Sequence, residues 1–544
     1  MVPAPISDAA FNEAVEKLSS LIHRADSEPN PNAMRTWASN FETTFKHLKI
    51  LELEEPLERL GVIHVAGTKG KGSTCAFCER ILRESGFKTG LFTSPHLLDV
   101  RERFRFDGEE VSKDLFVESF WFVYNRLREN EHIAPLPGFF RFTFLLALKM
   151  FTSQKVDVAI LEVGLGGRLD ATNAVEVPVV TGISSLGLDH CELLGNTIDL
   201  IAREKAGIFK ATVPAFTSPQ LDEAMKVLKD RAEELQIPLT VAPPLESYGI
   251  PNLQLGLRGD HQRMNASLAV ALCKTWAERT GNLAHWHTAK EGGLPESYVR
   301  GLAKTCWPGR CEIVEDNVAI HDEEPSLRST QFKFGRLQFF LDGAHSPESM
   351  EACGKWFSEA AKLEERPKDM KDRVSNQGLQ AEDDGRFRRV LLFGCMPRRD
   401  PMALLPPLVN QFSQHGMSVD LAVFAPQSSS YVSISPAQVA TKTDLSWQMK
   451  LQSFWETIRK SKLEADLNGP TTAPGTGTKD LLSTLEENKG GCRSIGPSSA
   501  VMVSLPATLE WLRVCAKQHP KLHIQVLVTG SLYMVGDMLR LLRH

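Results

Sequence analysis

The chain has 544 residues, 42% of them hydrophobic and 24% charged, which is ordinary for a globular protein and too long for one core, so about two to four domains are expected. A formal net charge of −5 argues against a general nucleic-acid binder, while leaving room for a local basic cleft that takes a small acidic substrate. Ten cysteines scattered through so long a chain do not make a secreted disulfide framework.

Residues 5–60 read as helices, with apolar residues at helical spacing in FNEAVEKLSSLIHRA and a break at EPNPNA. No secretory or transit signal is expected at this end: the first arginine is Arg24, and Asp8 and Glu13 precede it. The stretch VIHVAGTKGKGS, Val62 to Ser73, then organises the chain. A short apolar run predicts a buried strand, Gly67, Gly70 and Gly72 interleave with Lys69, Lys71 and Ser73, and TCAFCERILRE predicts a helix stopped at Gly86. A strand, a Gly-rich loop and a helix in that order point backbone N–H groups at an anion, with Lys71 for the β/γ-phosphates and the Ser73 hydroxyl for Mg²⁺. The pattern differs from the common phosphate loop by Gly72, which separates Lys71 from Ser73. Cys75 and Cys78 form a CxxC within that helix, with no second pair near them, and read as buried small hydrophobes.

A strand through Leu91 and Phe92 leads to Ser94-Pro95-His96, where the serine alone reads as a turn residue. Phe139 to Phe151 is too short to span a bilayer and contains Arg141 and Lys149, so a buried helix is expected. Val156 to Val163 is apolar almost throughout, as in a parallel sheet covered on both faces, and Glu162 lies at its carboxyl end, where ligands of open α/β sheets sit. Val177 to Leu186 reads as the next strand and delivers His190 to a further strand end. In NTIDLIAREKAGIFK, Lys205 shares the apolar face of Ile201 and Phe209, and either snorkels or is held in a site. VPAFTS and IPLTVA predict two short strands around a helix. His261, Gln262 and Asn265 open an apolar helix, as capping residues or as ligand contacts.

Near Trp307-Pro308-Gly309-Arg310 the chain starts a second α/β domain. Its first strand, Leu337 to Leu341, ends in Asp342, and Val390 to Phe393, Val419 to Phe424 and Ile524 to Val528 follow as strands with helices between. Residues 364–388 and 466–499 read as insertions without periodic structure.

GTKGKGS, LFTSPHL, EVGLGGRLDATN, SSLGLDH, REKAGIFK, WPGR, LDGAHSPESM and VTGSLY occur in this order from residue 67 to residue 533. With them the chain resembles the folylpolyglutamate synthase family, the folate branch of the Mur-type amide ligases, and the glycine at position 72 is part of that family's phosphate loop. The resemblance implies an α/β protein with an N-terminal P-loop ATPase domain on a mostly parallel sheet, residues 1–305, and a smaller Rossmann-like α/β C-terminal domain, residues 306–544. It implies ATP-dependent addition of L-glutamate to the γ-carboxyl of tetrahydrofolate and its glutamate tail through an acyl phosphate. Dihydrofolate synthase, which acts on dihydropteroate, is the alternative suggested by GLGGRLDATN; a nucleotide switch that binds ATP without ligation is a further one.

By the same resemblance, Thr68, Lys69, Gly70, Lys71, Gly72, Ser73, Asn265, Arg310 and Asp342 would contact ATP. Ser73, Ser94, Glu162, His190 and a carbamylated Lys205 would hold Mg²⁺, with K⁺ as a further cation. Lys71, Lys205 and His190 would be catalytic, and His345 and Ser531 would lie near glutamate and folate. The expected partners are reduced folate, L-glutamate and ATP, with no nucleic acid and no stable membrane insertion. The expected state is a monomer, in the cytoplasm and also the mitochondrion.

Overall fold

The structure is a computed structural model that describes residues 6–22, 33–250, 253–283, 293–316, 335–365, 386–427, 444–466, 478–487 and 491–543. The chain divides into two units, Met1–Trp307 and Pro308–His544.

The first unit is built on eight strands: β1 (Gly61–Ala66), β2 (Thr89–Phe92), β3 (Phe104–Phe106), β4 (Glu109–Glu110), β5 (Val158–Glu162), β6 (Val180–Ile183), β7 (Ala215–Thr217) and β8 (Leu239–Val241). Their order across the sheet is β4-β3-β2-β5-β1-β6-β7-β8. From β2 to β8 all neighbours are parallel, and β3 and β4 add an antiparallel edge. Parallel strands need cover on both faces, and the alternation of side chains in β1 supplies two cores. Val62 packs with Phe92, Phe144 and the amino-terminal helices, whereas Ile63 and Val65 pack with Phe77, Ile81 and Ala269 of the helices Lys71–Glu84 and Asp260–Arg279. His64, a polar residue in this central strand, is accommodated by a 2.8 Å bond between Nε2 and Thr172 Oγ1. Burial holds its pKa down at about 3, so it stays neutral.

The expected buried helix at Phe139 is present as Phe139–Gln154, and among the described residues no helix is long and apolar enough to cross a membrane. Cys75 and Cys78 are buried, and among the described residues no two cysteines form a disulfide.

The second unit carries seven strands: β9 (Glu312–Glu315), β10 (Arg336–Leu341), β11 (Arg386–Phe393), β12 (Leu421–Phe424), β13 (Cys492–Ile495), β14 (Ser499–Met502) and β15 (Leu522–Thr529). The order is β13-β14-β12-β11-β15-β10-β9, five parallel strands from β14 to β10 between antiparallel edges, a Rossmann-like arrangement.

One expectation needs correction here. Residues 466–499 are not without structure: they hold the helix Thr478–Glu487, the edge strand β13 and the start of β14. Leu481 and Leu485 are buried, four residues apart on one helical face, and the helix packs on Leu505–Gln518. Glycine, proline and threonine around this short amphipathic helix hid its period. Residues 467–477, and residues 366–385 of the other expected insertion, lie outside the described residues.

Leu481→Ala should therefore destabilise the protein by about 2–5 kcal/mol, the usual cost of emptying a buried leucine site. Denaturant unfolding measures this, and a change below about 0.5 kcal/mol would mean that the helix is not part of the core.

Candidate active site

The site grows from the carboxyl ends of β1, β2, β5 and β6. In the register of the sheet Val65 pairs with Glu162, Ala66 with Ile183 and Phe92 with Leu161. The segments that leave these strands are therefore neighbours before any side chain is considered.

The loop after β1 begins the assembly. Gly67 has φ +149° and Gly70 φ +83°, both in the range that favours glycine. Space demands glycine too: a Cβ would lie 1.9 Å from Ser184 Oγ at position 67 and 2.1 Å from Asn265 Oδ1 at position 70. Gly70 caps the helix Lys71–Glu84, whose first N–H groups point out of the loop. Thr68 and Lys69 donate their backbone N–H groups to the Ser185 carbonyl at 2.9 and 3.0 Å. The Thr68 hydroxyl donates to the Gly187 carbonyl at 3.1 Å, so the loop after β6 holds the loop after β1. Lys71 folds back across its own loop and donates to the Thr68 carbonyl at 3.3 Å.

Glu162 stands beside this loop. It is buried, and its Oε2 accepts the Ser94 N–H at 2.8 Å. A Cβ on Gly72 would meet Glu162 Oε1 and Trp307 Nε1, each at 3.4 Å. The first helical turn, with Ser73, thus lies beside the carboxylate, at a distance where a Cβ on residue 72 would make only ordinary contact. Ser94 precedes a cis peptide bond to Pro95. The segment after it is braced by His96, whose Nδ1 accepts from Arg103 Nε at 2.8 Å; burial, and then the Arg103 charge, hold its pKa at about 3.

The loop after β5 reaches the helix Ile198–Ala206, which carries Lys205. A Cβ at Gly167 would lie 2.7 Å from the Glu204 carbonyl and 3.0 Å from Lys205 Cα, so only glycine permits this approach. Arg168 closes it, bonding the Glu204 carbonyl through its N–H and the Glu204 carboxylate through its guanidinium, each at 2.8 Å. Lys205 is 4% exposed, so it does not snorkel. Burial, and next the Lys71 ammonium, lower its pKa from 10.5 to about 7, against the opposite pull of Asp189 and Asp170.

Gln262 and Asn265 do not cap their helix; Gly259 does. Both are buried and face the phosphate loop: Gln262 Nε2 donates to Ser73 Oγ at 3.4 Å, and Asn265 Nδ2 donates to Gln262 Oε1 at 3.0 Å. The structure therefore brings together Ser73, Ser94, Glu162 and Asn265, and sets Lys71 and Lys205 within electrostatic reach of each other. His190 stands differently. It has φ +52°, its side chain is 46% exposed, and Nδ1 lies 3.7 Å from Glu192 Oε1. Among the described residues no three His, Cys, Asp or Glu side chains form a metal-holding group, and the expected set contains only two of that kind, Glu162 and His190.

In the second unit, the Asp342 carboxylate accepts the Cys311 and Ala344 N–H groups, each at 3.0 Å. Gly343 lies beside the Arg310 guanidinium: a Cβ there would be 2.9 Å from Nη1. His345 Nδ1 is 2.8 Å from the Gly343 carbonyl. Ser531 opens the helix Leu532–Arg543 after β15, the parallel neighbour of β10, and its hydroxyl contacts Gln427 Oε1 at 3.4 Å. The four expected residues thus share the carboxyl edge of this sheet. The sequence did not disclose Gln427 or Asp189, because each works through a tertiary pair; Gln262 was legible as a polar residue on an apolar helix.

No protein-family model matches the chain. Curated proteins do. It is 45% identical to a folylpolyglutamate synthase of Arabidopsis thaliana, covering 98% of this chain and 87% of the relative. It is 38% identical to the mitochondrial folylpolyglutamate synthase of Homo sapiens, covering 90% of this chain and 84% of that one. The chain belongs to the folylpolyglutamate synthase family. The structure of Mycobacterium tuberculosis folylpolyglutamate synthase complexed with ADP shares the family fold, with a TM-score of 0.64 and 19% identity over 98% of this chain and 99% of that one. A folylpolyglutamate synthase–AMPPCP–folate complex superposes with a TM-score of 0.60 at 21% identity, over 98% of this chain and all of the other.

The buried lysine has a consequence for stability. With a folded pKa near 7 and an unfolded one near 10.5, the unfolded chain binds more protons between these values, so Lys205 makes stability rise with pH across that window. Below pH 7 the full cost of the buried ammonium is present. Lys205→Met should accordingly be more stable than the wild type at pH 6, with an advantage that shrinks toward pH 9, in metal-free and CO₂-free buffer. Thermal unfolding at both pH values measures this; an advantage that grows with pH would contradict the buried ammonium.

Proposed function

We propose that this chain adds L-glutamate to the γ-carboxyl of tetrahydrofolate, and then to its growing glutamate tail, at the expense of ATP. The observation that carries the reading is the placement of Glu162 and Ser94 against the first turn of the phosphate loop, in a chain 45% identical to a folylpolyglutamate synthase along nearly its whole length.

The chemistry needs an activated acyl group, because a carboxylate does not react with an amine. The acceptor carboxylate attacks the γ-phosphorus of ATP, ADP leaves, and an acyl phosphate forms. The glutamate amine then attacks the acyl carbon, phosphate leaves and a proton is lost. Backbone N–H groups of residues 70–73 cradle the phosphates, those of Thr68 and Lys69 being held by the Ser185 carbonyl, and Lys71 offsets the charge that develops on the transferred group. Asn265 is assigned to the adenine side of the nucleotide. In the second unit Arg310 and Asp342 are assigned to ATP, and His345 and Ser531 to the incoming glutamate.

The Ser73 and Ser94 hydroxyls and the Glu162 carboxylate are oxygen donors that suit a hard cation, and Glu162 presents Oε1 to the Ser73 turn while Ser94 N–H holds Oε2. When bound there, Mg²⁺ supplies charge neutralisation on the transferred phosphoryl group. His190 and Lys205 would complete the set. A lysine with a depressed pKa offers more neutral amine to CO₂; its nitrogen bonds the carbon, a proton is released, and the carbamate presents two oxygens where an ammonium would repel the metal. The proposed address is the cytoplasm and also the mitochondrion, the latter on the names of the mammalian relatives.

Incubation with tetrahydrofolate, ATP, Mg²⁺ and labelled glutamate should give a ladder of products, each one glutamate longer. ATP turnover that is independent of folate and glutamate, or labelling of dihydropteroate alone, would overturn the reading. Lys71→Ala should lower ligation at least about a hundredfold with the fold intact, since a lost contact to developing phosphate charge costs on the order of 3 kcal/mol. Activity within about threefold of wild type would remove Lys71 from the phosphate site.

A further inference from the structure

The phosphate loop carries two lysines, and their surroundings differ. Lys71 Nζ donates to a neutral partner, the Thr68 carbonyl, at 3.3 Å. Lys69 Nζ lies 2.9 Å from Asp189 Oδ2, and the Asp189 side chain is only 9% exposed. The other Asp189 oxygen, Oδ1, accepts the backbone N–H of His190 at 3.1 Å. The backbone repeats the link: Lys69 N–H donates to the Ser185 carbonyl at 3.0 Å, and Ser184 Oγ donates to the Lys69 carbonyl at 2.7 Å. Lys69 is thus held to the loop after β6 by its amide, its carbonyl and its ammonium. To reach a phosphate, that ammonium would have to leave a largely buried carboxylate, whose charge would then stand without this partner.

We propose that Lys69 is a positioning residue and not a phosphate ligand. Its ion pair with Asp189 clamps the phosphate loop to the loop that carries His190, and Lys71 is left as the lysine that serves the phosphates. Asp189 also faces the corner occupied by Lys205, where its charge opposes those of Lys69 and Lys71. The pair therefore sets both the shape of the loop and the charge balance among three lysines. The inference rests on the reading of residues 67–73 as the ATP site.

Lys69→Met, Asp189→Asn, the double variant and Lys69→Arg test it, with circular dichroism to confirm folding. Two quantities are measured: the kcat and KM for ATP in glutamate ligation, and binding of the ATP analogue AMPPCP with Mg²⁺ by calorimetry. A clamp predicts that each single variant lowers kcat about tenfold, that the double variant is no worse than the poorer single one, and that analogue affinity stays within about threefold. Lys69→Arg, which can still pair with Asp189, should recover most of the loss. If Lys69→Met fails to fold, Asp189→Asn and Lys69→Arg carry the same comparison, with Asp189→Asn impaired in kcat and Lys69→Arg close to wild type. The proposal is overturned if Lys69→Met weakens the analogue about tenfold or more while Asp189→Asn does not, if the single losses multiply in the double variant, or if Asp189→Asn is fully active. A wild-type protein that does not bind the analogue would instead refute the ATP site itself.

Discussion

The register of three parallel strands, β5-β1-β6, is the constraint on which the first unit depends. Pairing Val65 with Glu162 and Ala66 with Ile183 brings the phosphate loop, the Glu162 carboxylate and the Ser184–His190 segment to one edge. A shift of one residue in β5 would turn Glu162 to the other face of the sheet and leave a buried carboxylate in an apolar core. The two hydrophobic cores that fix the faces of β1 therefore also fix the chemistry at its end.

Glycine makes the close approaches at that edge possible. Gly67 yields to Ser184, Gly70 to Asn265 and Gly167 to the backbone at Glu204 and Lys205. Each approach replaces a side chain by a contact between segments far apart in sequence. Around these contacts the polar groups are arranged in pairs: Glu162 with Ser94, Lys69 with Asp189, Arg168 with Glu204 and Asn265 with Gln262. Most of them are buried or nearly so, where an unpaired polar group costs more than in water. Such a network favours one arrangement of the site before any ligand arrives.

Much of this was legible in the sequence, for physical reasons that can be named. Buried parallel strands read as apolar runs, so β1, β5, β10 and β15 stood out, and their ends marked Glu162 and Asp342. Lys205 was conspicuous because a long cation interrupted an apolar helical stripe, and it is buried as that stripe requires. What stayed hidden depended on contacts across the fold. Asp189 sits in no local pattern that announces its role, and Gln262, legible as a polar residue on an apolar helix, does not announce its partner, since Lys69 and Ser73 lie 120 and 189 residues away. The antiparallel strands β3, β4, β9 and β13 are short and partly exposed, so they lack the apolar run that betrays a central strand. The helix Thr478–Glu487 shows the limit from the other side: ten residues between Gly- and Pro-rich flanks carry too little period to be read, yet two leucines suffice to dock it.

The central proposal is that the Glu162 carboxylate would hold Mg²⁺ beside the first turn of the phosphate loop. The most direct test is the Mg²⁺ dependence of ligation in Glu162→Gln, which preserves shape and an acceptor for the Ser94 N–H but removes the charge. The account predicts a folded protein that ligates glutamate at least about a hundredfold more slowly and whose half-saturating Mg²⁺ concentration rises. Wild-type Mg²⁺ dependence with activity within about threefold of wild type would contradict it.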